Sequence, residues 1–491
     1  MKRRISLSLA MLILLAQLAA CGSEAPAAVD TTAAGSDTTT AAEPDDGFVK
    51  DELPALDFGG ETFSILVGDV HGGTTTPTYL MEETTGDVVD DAVYNRNAAV
   101  EERLGIALDW QVVDFEYGTR ANWVTRVTTT VMAAEDVDLI CGPGYYTTNL
   151  VTEDFFLNLT GLPYLDFDKP WWSKMYMDNV TINDKLYFAL GDFSLNKLQL
   201  AYCMYFNKNM FDAAKMEYPY QTVIDGKWTL DAMTSLIKDT YQDVNGDSTA
   251  DAEDAYGLIS ENINQLWAFM DPMGVKVFDK NAKGDVSFVM DSEHNANVVE
   301  KLRGLWNDND NTFHHNVVQD ANDVSESVFI KGNSYISTGD ILKTDAYRDL
   351  KFDYGILPYP KWDENQENYV TRTSSAISVF CIPASSKDPD MTAAVLEAMN
   401  SETYRSVIPA YYETALKVKY ARDDETVQVL DILREGISMQ FVDAYSTVFS
   451  GYSEIFRATI QGNKTTWASD VAAIKDAAVT KLDELLAYYG K

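Results

Sequence analysis

The feature that most restricts the fold of this chain is a regular alternation of strand and helix patterns in its first third. Residues 62–67 form an apolar strand-like run, 90–104 carry apolar residues on one helical face, and 106–113 alternate like a second strand. A helical stretch through Trp123 then leads to a third strand-like run at 137–141. Strands that alternate with helices predict a parallel sheet covered by helices, so the expected fold class is α/β.

A second series of patterns follows, and the body from about residue 53 onward is long enough for two domains. Residues 199–206, 335–338 and 376–382 predict further strands, and Thr229 is a candidate N-cap for the helix that begins after it. The last stretch, 424–489, is largely helical in pattern. No internal repeat is evident.

The N-terminus has the pattern of a secretory signal peptide. Lys2, Arg3 and Arg4 precede an apolar run at 5–18, which is shorter than the roughly 20 residues of a membrane span. The small residues before Cys21 resemble a bacterial lipobox, in which the cysteine is acylated and becomes the new N-terminus. The alternative is ordinary cleavage beside an incidental cysteine.

These patterns predict a protein that is exported and held at the cell membrane by a lipid on Cys21. Residues 1–20 are the predicted signal peptide, and 21–50 are the predicted lipidated cysteine and flexible tether, because 24–50 contain almost no large apolar side chain before Phe48. A diacylated cysteine supplies the two lipid chains that stable anchoring requires. We therefore expect an extracytoplasmic location.

The net charge bears on possible partners, and the cysteines bear on how the core is packed. The chain has 76 acidic and 38 basic residues and a formal net charge of −38, which argues against a nucleic-acid partner. Cys141, Cys203 and Cys381 each lie in an apolar, strand-like setting, which favours packing in the core. One disulfide among these three thiols remains an alternative.

Several short motifs follow one another along the body in a characteristic order. They are Asn-Arg-Asn at 95–97, Glu-Asp-Val-Asp-Leu-Ile at 135–140, Lys-Leu-Tyr at 185–187, Tyr-Phe-Asn-Lys-Asn-Met-Phe at 205–211, Trp-Thr-Leu at 228–230, Phe-Ile-Lys-Gly-Asn at 329–333 and Tyr-Gly-Ile-Leu-Pro-Tyr-Pro at 354–360. No single motif is specific. Their order resembles that of the family 1 extracellular solute-binding proteins of bacterial importers, the maltose-binding-protein-like group.

The resemblance implies a type II periplasmic-binding-protein-like fold, with two lobes of mixed sheets flanked by helices and a hinge between them. Lobe 1 would contain 51–190 plus about 373–420, and lobe 2 about 191–372 plus 421–491. The chain would cross between the lobes near Leu190, Thr373 and Tyr420, and closure around a ligand would be a hinge motion.

The same resemblance implies a function without catalysis. The protein would be the substrate-binding lipoprotein of an ABC importer. It would capture a carbohydrate, a mono- or oligosaccharide, between its lobes and deliver this small-molecule solute to the membrane permease. We expect a monomer, no catalytic residues and no required cofactor.

Candidate ligand-binding residues are acids and aromatic rings near predicted strand ends, since a sugar needs hydrogen-bonding groups and flat apolar faces. They are Asp69, Tyr145, Tyr146, Trp267, Asp340 and Tyr452. Each has an alternative role: the aromatic residues as core, and the two acids as turn formers beside glycine. Trp171 and Trp172 are either a wall of the site or a clasp between segments, and we favour the clasp.

One acidic loop has the spacing of a calcium site. Oxygen-bearing residues recur at the first, third, fifth, seventh, ninth and twelfth positions: Asp243, Asn245, Asp247, Thr249, Asp251 and Asp254. Calcium takes six to eight oxygen ligands, and this order resembles EF-hand and dockerin loops. Ser248 stands where those loops have glycine. We predict a structural Ca²⁺ here, with a solvated acidic turn as the alternative.

Two other functions remain open at this level. A binder of peptides or another small solute could use the same fold, although few basic residues near the candidate site favour an uncharged sugar. A secreted glycoside-acting enzyme would need only two suitably placed carboxylates, which the number of acids allows. Against an enzyme, the chain contains neither a G-x-S-x-G nor an H-E-x-x-H motif.

Overall fold

The computed structural model describes residues 47–70, 79–115, 119–260, 264–281, 283–308, 310–314, 324–412, 424–449 and 451–490. Residues 48–491 belong to one structural unit. The predicted signal peptide, Cys21 and nearly all of the predicted tether lie outside the described residues. Within the described part of the chain, no helix is both long and apolar enough to cross a membrane.

The strands are β1 (Glu61–Val70), β2 (Ile106–Phe115), β3 (Leu139–Pro143), β4 (Tyr202–Asn207), β5 (Tyr256–Ser260), β6 (Phe278–Lys280), β7 (Val286–Phe288), β8 (Thr312–His314), β9 (Ser334–Asp340), β10 (Tyr354–Leu357), β11 (Thr371–Arg372), β12 (Ser378–Cys381) and β13 (Ile437–Ser438). The strand runs predicted at 62–67, 106–113, 137–141 and 335–338 are thereby confirmed.

The helices are α1 (Val88–Leu104), α2 (Arg120–Met132), α3 (Gly144–Thr147), α4 (Lys174–Val180), α5 (Asn196–Gln199), α6 (Lys208–Ala214), α7 (Tyr220–Ile224), α8 (Leu230–Leu236), α9 (Asn264–Trp267), α10 (Glu293–Asn307), α11 (Val324–Ile330), α12 (Lys343–Ala346), α13 (Pro389–Glu402), α14 (Ile408–Tyr411), α15 (Asp424–Glu435), α16 (Phe441–Ala444), α17 (Glu454–Gln461) and α18 (Trp467–Tyr489).

The first sheet is built from the alternating segments that open the body. Its strand order is β12-β3-β1-β2, with β1 parallel to both β2 and β3 and β12 antiparallel to β3. The connecting helix α1 begins because the Asp87 carboxylate accepts hydrogen bonds from the first-turn N–H groups, and it ends at Gly105, whose φ of 61° suits glycine. The predicted parallel α/β arrangement is confirmed.

The second sheet has the strand order β10-β4-β9-β5-β8. Strand β4 runs antiparallel to β9 and β10, whereas β5 runs parallel to β8 and β9, so the sheet is mixed. Helix α8 starts after Thr229, whose hydroxyl accepts the Ala232 N–H as predicted. The strand predicted at 199–206 begins later than expected, because Gln199 ends the short helix α5.

The chain passes between the two large sheets at two places in the described residues. The segment after β3 leads to β4, and the segment after β11 returns to β12 in the first sheet. Ala201 and Thr373, one from each passage, form an isolated antiparallel bridge. The passage predicted near Tyr420 lies outside the described residues. The lobe boundaries inferred from the resemblance remain a prediction.

The three cysteines of the body are free and buried, so they pack in the core. Cys141 and Cys381 lie on the adjacent strands β3 and β12.

The tryptophan pair clasps two segments together rather than lining a cavity. Trp171 and Trp172 are buried, and both indole N–H groups donate to the carboxylate of Glu397 on α13, at 3.2 and 3.0 Å. Glu397 also accepts the Asp166 N–H. Burial raises the pKa of Glu397 to about 8, although these hydrogen bonds oppose the shift. The favoured interpretation of Trp171 and Trp172 as a clasp agrees with this geometry.

The raised pKa of Glu397 predicts a pH-dependent stability. Between its ordinary value near 4.5 and about 8, the folded protein binds more protons at this site than the unfolded chain does. The free energy of unfolding should therefore fall as the pH rises from 6 to 8, and Glu397→Gln should reduce that fall. Urea unfolding at several pH values measures it. The exposed Glu102→Gln is the control, and equal pH profiles for wild type and E397Q would contradict the prediction.

Candidate ligand-binding cavity

A cavity of about 360 Å³ lies where the two sheets approach each other. Its lining includes Tyr145, just beyond β3 of the first sheet, and Tyr202, the first residue of β4 in the second. The remaining walls come from Trp267, from the passage at 372–375 and from residues between 442 and 454. Both sheets and the chain between them therefore contribute to one concave site.

Backbone and side-chain hydrogen bonds fix the segments that form the walls. Tyr145 N–H donates to the Ser375 carbonyl at 2.9 Å, which ties α3 to the passage at 372–375. The Thr148 hydroxyl donates to the Ala444 carbonyl, and the Thr447 N–H donates to Asn149 Oδ1 at 3.1 Å. These bonds join the segment after β3 to the segment at 442–454.

Trp267, the last residue of α9, supplies the main aromatic surface of the cavity. Its ring is half-buried, and its indole N–H donates to the Ser453 carbonyl at 3.3 Å. The guanidinium carbon of Arg457 lies 4.2 Å from the ring centroid, a cation–π contact, and Arg457 is itself held by Glu454. Because this cation covers one face of the indole, only the other face is left for stacking with a ligand.

A buried ion-pair cluster forms the polar part of the wall. Arg372 of β11 lies 3.0 Å from Asp271 and 2.8 Å from Asp443, one carboxylate oxygen for each terminal nitrogen. All three residues are buried. Burial raises the pKa of Asp271 to about 6, with the charge of Asp443 adding to the shift and Arg372 opposing it.

Two polar atoms in the lining have hydrogen-bonding capacity left over. The buried hydroxyl of Ser446 makes no hydrogen bond among the described residues, and the Asp443 oxygen beside Arg372 is not aligned for one. Leaving buried polar groups unbonded is costly, which makes them natural contacts for a ligand. The cavity thus combines one open aromatic face with a hydroxyl and a carboxylate able to bond to ligand hydroxyls.

The predicted site residues separate into two groups. Tyr145 and Trp267 line the cavity. Tyr146 is adjacent but packs with its ring centroid 5.4 Å from that of Phe115. Tyr452 lies between two lining residues, yet its ring is buried and faces Lys481 of α18 at 5.7 Å. Neither Tyr146 nor Tyr452 is among the residues that line the cavity.

Of the two predicted acids, Asp340 is not among the described residues of the lining, and the side chain of Asp69 is not described. Asp340 is the last residue of β9, not a loop residue, and is paired in register with Tyr202. Its carbonyl accepts the Tyr205 hydroxyl at 2.6 Å. Asp69 is near the end of β1, and its side chain lies outside the described residues. Tyr145 and Tyr146, which follow the third predicted strand, lie in the short helix α3.

Sequence reasoning missed much of the polar lining. Arg372, Asp443, Ser446 and Glu454 were not candidates, although the polar run at 371–375 beside the predicted passage at Thr373 was a usable signal. Asp443 and Glu454 could not be predicted in the same way, because nothing in the sequence around them sets them apart from the other acidic residues of the chain.

Comparison with known proteins identifies the fold. No protein-family model matches the sequence, and no curated protein matches it. Many solved structures do match. The likeness shows a two-lobed, mixed α/β fold with sheets flanked by helices, which confirms the predicted fold class.

Three of these structures illustrate the likeness, and all three are of binding proteins. The maltose-binding periplasmic protein from Listeria monocytogenes in complex with maltose is 16% identical, has a TM-score of 0.56, and the match covers 86% of this chain and 98% of that one. A cyclo/maltodextrin-binding protein complexed with maltotetraose is 14% identical, with a TM-score of 0.54 and coverage of 87% and 97%. An ABC substrate-binding protein from Listeria monocytogenes in complex with cycloalternan is 13% identical, with a TM-score of 0.52 and coverage of 86% and 99%.

The acidic loop at 243–254 is held by hydrogen bonds between its own side chains and backbone. Asp243 accepts the N–H groups of Gly246 and Ser248, and Ser248 has a φ of 64°, the left-handed conformation usually taken by glycine. Asp254 is buried and accepts the Tyr241 hydroxyl. Among the described residues, no three acidic, histidine or cysteine side chains are grouped to hold a metal ion. The calcium site therefore stays a prediction.

Thermal unfolding with and without calcium tests that prediction. A loop that binds calcium only in the folded state should raise the melting temperature when calcium is added, and a chelator should reverse the rise. Asp243→Asn should abolish the response, whereas Asp285→Asn, in an exposed turn between β6 and β7, should retain it. Identical melting curves with calcium and with chelator would identify the loop as a solvated acidic turn.

Proposed function

We propose that this protein is the extracellular substrate-binding component of an ABC importer, and that it holds a carbohydrate in the cavity beside Trp267. The ligand is a mono- or oligosaccharide, which the protein delivers to the membrane permease. It is not an enzyme, and the binding step requires no cofactor.

The observation that carries this proposal is the pairing of one open indole face with buried hydrogen-bonding groups in a single cavity. A sugar ring has an apolar C–H face and a rim of hydroxyls, so it is recognised by stacking on one side and hydrogen bonds around the edge. Trp267 offers the first, and Ser446 and Asp443 offer the second. The volume of about 360 Å³ is at the lower end for small-molecule sites, which favours a short saccharide.

The structural likeness supports the same class of ligand. The three similar structures are of proteins bound to maltose, maltotetraose and cycloalternan. The cavity here has lining residues next to strands of both large sheets, as the resemblance in the sequence implies for a ligand held between two lobes.

The N-terminal sequence supports the cellular part of the proposal. Acylation of Cys21 anchors the protein to the outer face of the cell membrane, and the residues up to about 50 act as a flexible tether. The binding unit works as a monomer and meets the permease subunits from this position.

Thermal unfolding against a sugar panel tests the proposed function. The full-length protein is mixed with glucose, galactose, maltose, maltotriose and a short peptide mixture, and melting temperature and sugar breakdown are followed together. At least one sugar should raise the melting temperature saturably, because a ligand of the folded state stabilises it by mass action. A response to peptides alone would contradict the carbohydrate assignment, and sugar breakdown would contradict a pure binder.

Trp267→Ala should weaken binding of the responding sugar. Loss of a stacking surface costs about 1.5 kcal/mol, or roughly tenfold in affinity. Trp362→Ala is the matched control, because Trp362 is also a half-buried tryptophan near a cation, with Lys301 Nζ 5.0 Å from its ring centroid, but it lies outside the cavity lining. Titration calorimetry measures both variants. An equal loss of affinity in the two would argue against Trp267 as a ligand contact.

Ser446→Ala separates a ligand contact from a structural role. The Ser446 hydroxyl makes no hydrogen bond among the described residues, so its removal should leave the melting temperature of the unliganded protein nearly unchanged. Affinity for the sugar should fall by about fivefold, the value of one hydrogen bond of about 1 kcal/mol. The Ser173 hydroxyl is likewise buried and unbonded away from the lining, and Ser173→Ala should change neither quantity. Unaltered affinity in S446A would remove Ser446 from the site.

A further inference from the structure

The charge of the cavity depends on the ion pairs of Arg372, the arginine in its described lining. Arg372 is the only cation among the described residues of the lining. Each of its terminal nitrogens faces a carboxylate, Asp271 at 3.0 Å and Asp443 at 2.8 Å. A guanidinium group recognises a carboxylate or phosphate through these nitrogens, so both recognition positions are already taken by protein groups.

The second guanidinium near the cavity is committed in the same way. Arg457 lies over the face of Trp267 and pairs with Glu454, which is part of the lining. The described lining itself holds one guanidinium group, Arg372, and two carboxylates, Asp443 and Glu454, so its formal charge is one net negative charge. The formal charge of −38 on the whole chain adds a field of the same sign.

We propose that Asp443 determines the charge specificity of the cavity. By occupying the nitrogen of Arg372 beside the ligand space, it excludes sugars that carry a carboxylate or phosphate and restricts binding to neutral sugars. This inference rests on the proposed function, since it concerns which carbohydrates the same cavity accepts. An anionic sugar meets the Asp443 carboxylate in place of a free cation, and like charges brought together at short range disfavour binding.

The two carboxylates that pair with Arg372 line different cavities. Asp443 lines the ligand cavity, whereas Asp271 lines a separate cavity of about 310 Å³ that also includes Asn179, Lys276 and Gln440. Neutralising either acid changes the net charge by the same amount. Only neutralisation of Asp443 removes the negative charge from the Arg372 nitrogen that is paired within the ligand cavity. The pair Asp443→Asn and Asp271→Asn therefore separates local recognition from overall charge.

The experiment compares sugars that differ by one carboxylate. Titration calorimetry of the full-length protein uses glucose with glucuronate and galactose with galacturonate, pairs in which the sugar ring is the same. In the wild type, a neutral member should bind and its acidic partner should bind at least about tenfold more weakly. D443N should shift this ratio towards the acidic sugar by about tenfold or more, because Arg372 can then form a charge-assisted pair with it. D271N should shift it much less.

Two other results would contradict the proposed role of Asp443 or the proposed function. If the wild type binds both members of a pair equally, or if D443N and D271N shift the ratio equally, the role of Asp443 is overturned while the proposed function stands. If no sugar of either kind binds to any variant, the proposed function fails and this inference fails with it. Each variant leaves Arg372 with one carboxylate, so folding is expected, and melting temperatures check it. Asp443→Ser provides the same test should D443N not fold.

Discussion

The ion pairs of Arg372 are the interaction on which the candidate site depends. They join three segments that are far apart in the chain: strand β11, the turn after α9 that carries Asp271, and helix α16 with Asp443. Buried charges are costly unless they are paired, and removing one partner of a simple buried pair typically costs 3–5 kcal/mol. Because Arg372 has two partners, the segments are held in one arrangement, and the cavity wall is already formed before a ligand arrives. Such preorganisation lowers the entropy lost on binding.

Trp267 shows how a half-buried aromatic residue becomes a directional surface. An indole ring that is free on both faces could stack in two ways and could rotate away from the cavity. Here the guanidinium group of Arg457 covers one face and the Ser453 carbonyl accepts the ring N–H, so the ring plane is fixed. The contact between α9 and α17 that supports this arrangement lies in the second-sheet region, whereas Tyr145 faces the same cavity from the first sheet. The cavity therefore has aromatic surfaces from two separate parts of the chain, Trp267 of α9 and Tyr145 of α3.

The sequence predicted the fold better than the site, for a physical reason. Strand and helix patterns depend on local periodicity, so β1, α1, β2, α2 and β3 were recognisable from neighbouring residues. Ligand contacts depend on which way single side chains point. In the short helix α3, successive side chains are about 100° apart, so Tyr145 faces the cavity while Tyr146 does not. Arg372 and Asp443 could not be paired in advance, since buried charges resemble surface charges until the fold brings them together.

The electrostatics of the whole chain and of the cavity point to the same kind of ligand. A charge of −38 repels anions and attracts cations over about a Debye length, but exerts little force on a neutral molecule. A neutral sugar gains nothing from such steering, so in the proposed complex its binding depends on contacts inside the cavity, where we propose stacking on Trp267 and hydrogen bonds to Ser446 and Asp443. A cavity whose cations are already paired, and which offers a hydroxyl without a hydrogen bond among the described residues and one open aromatic face, is suited to that task.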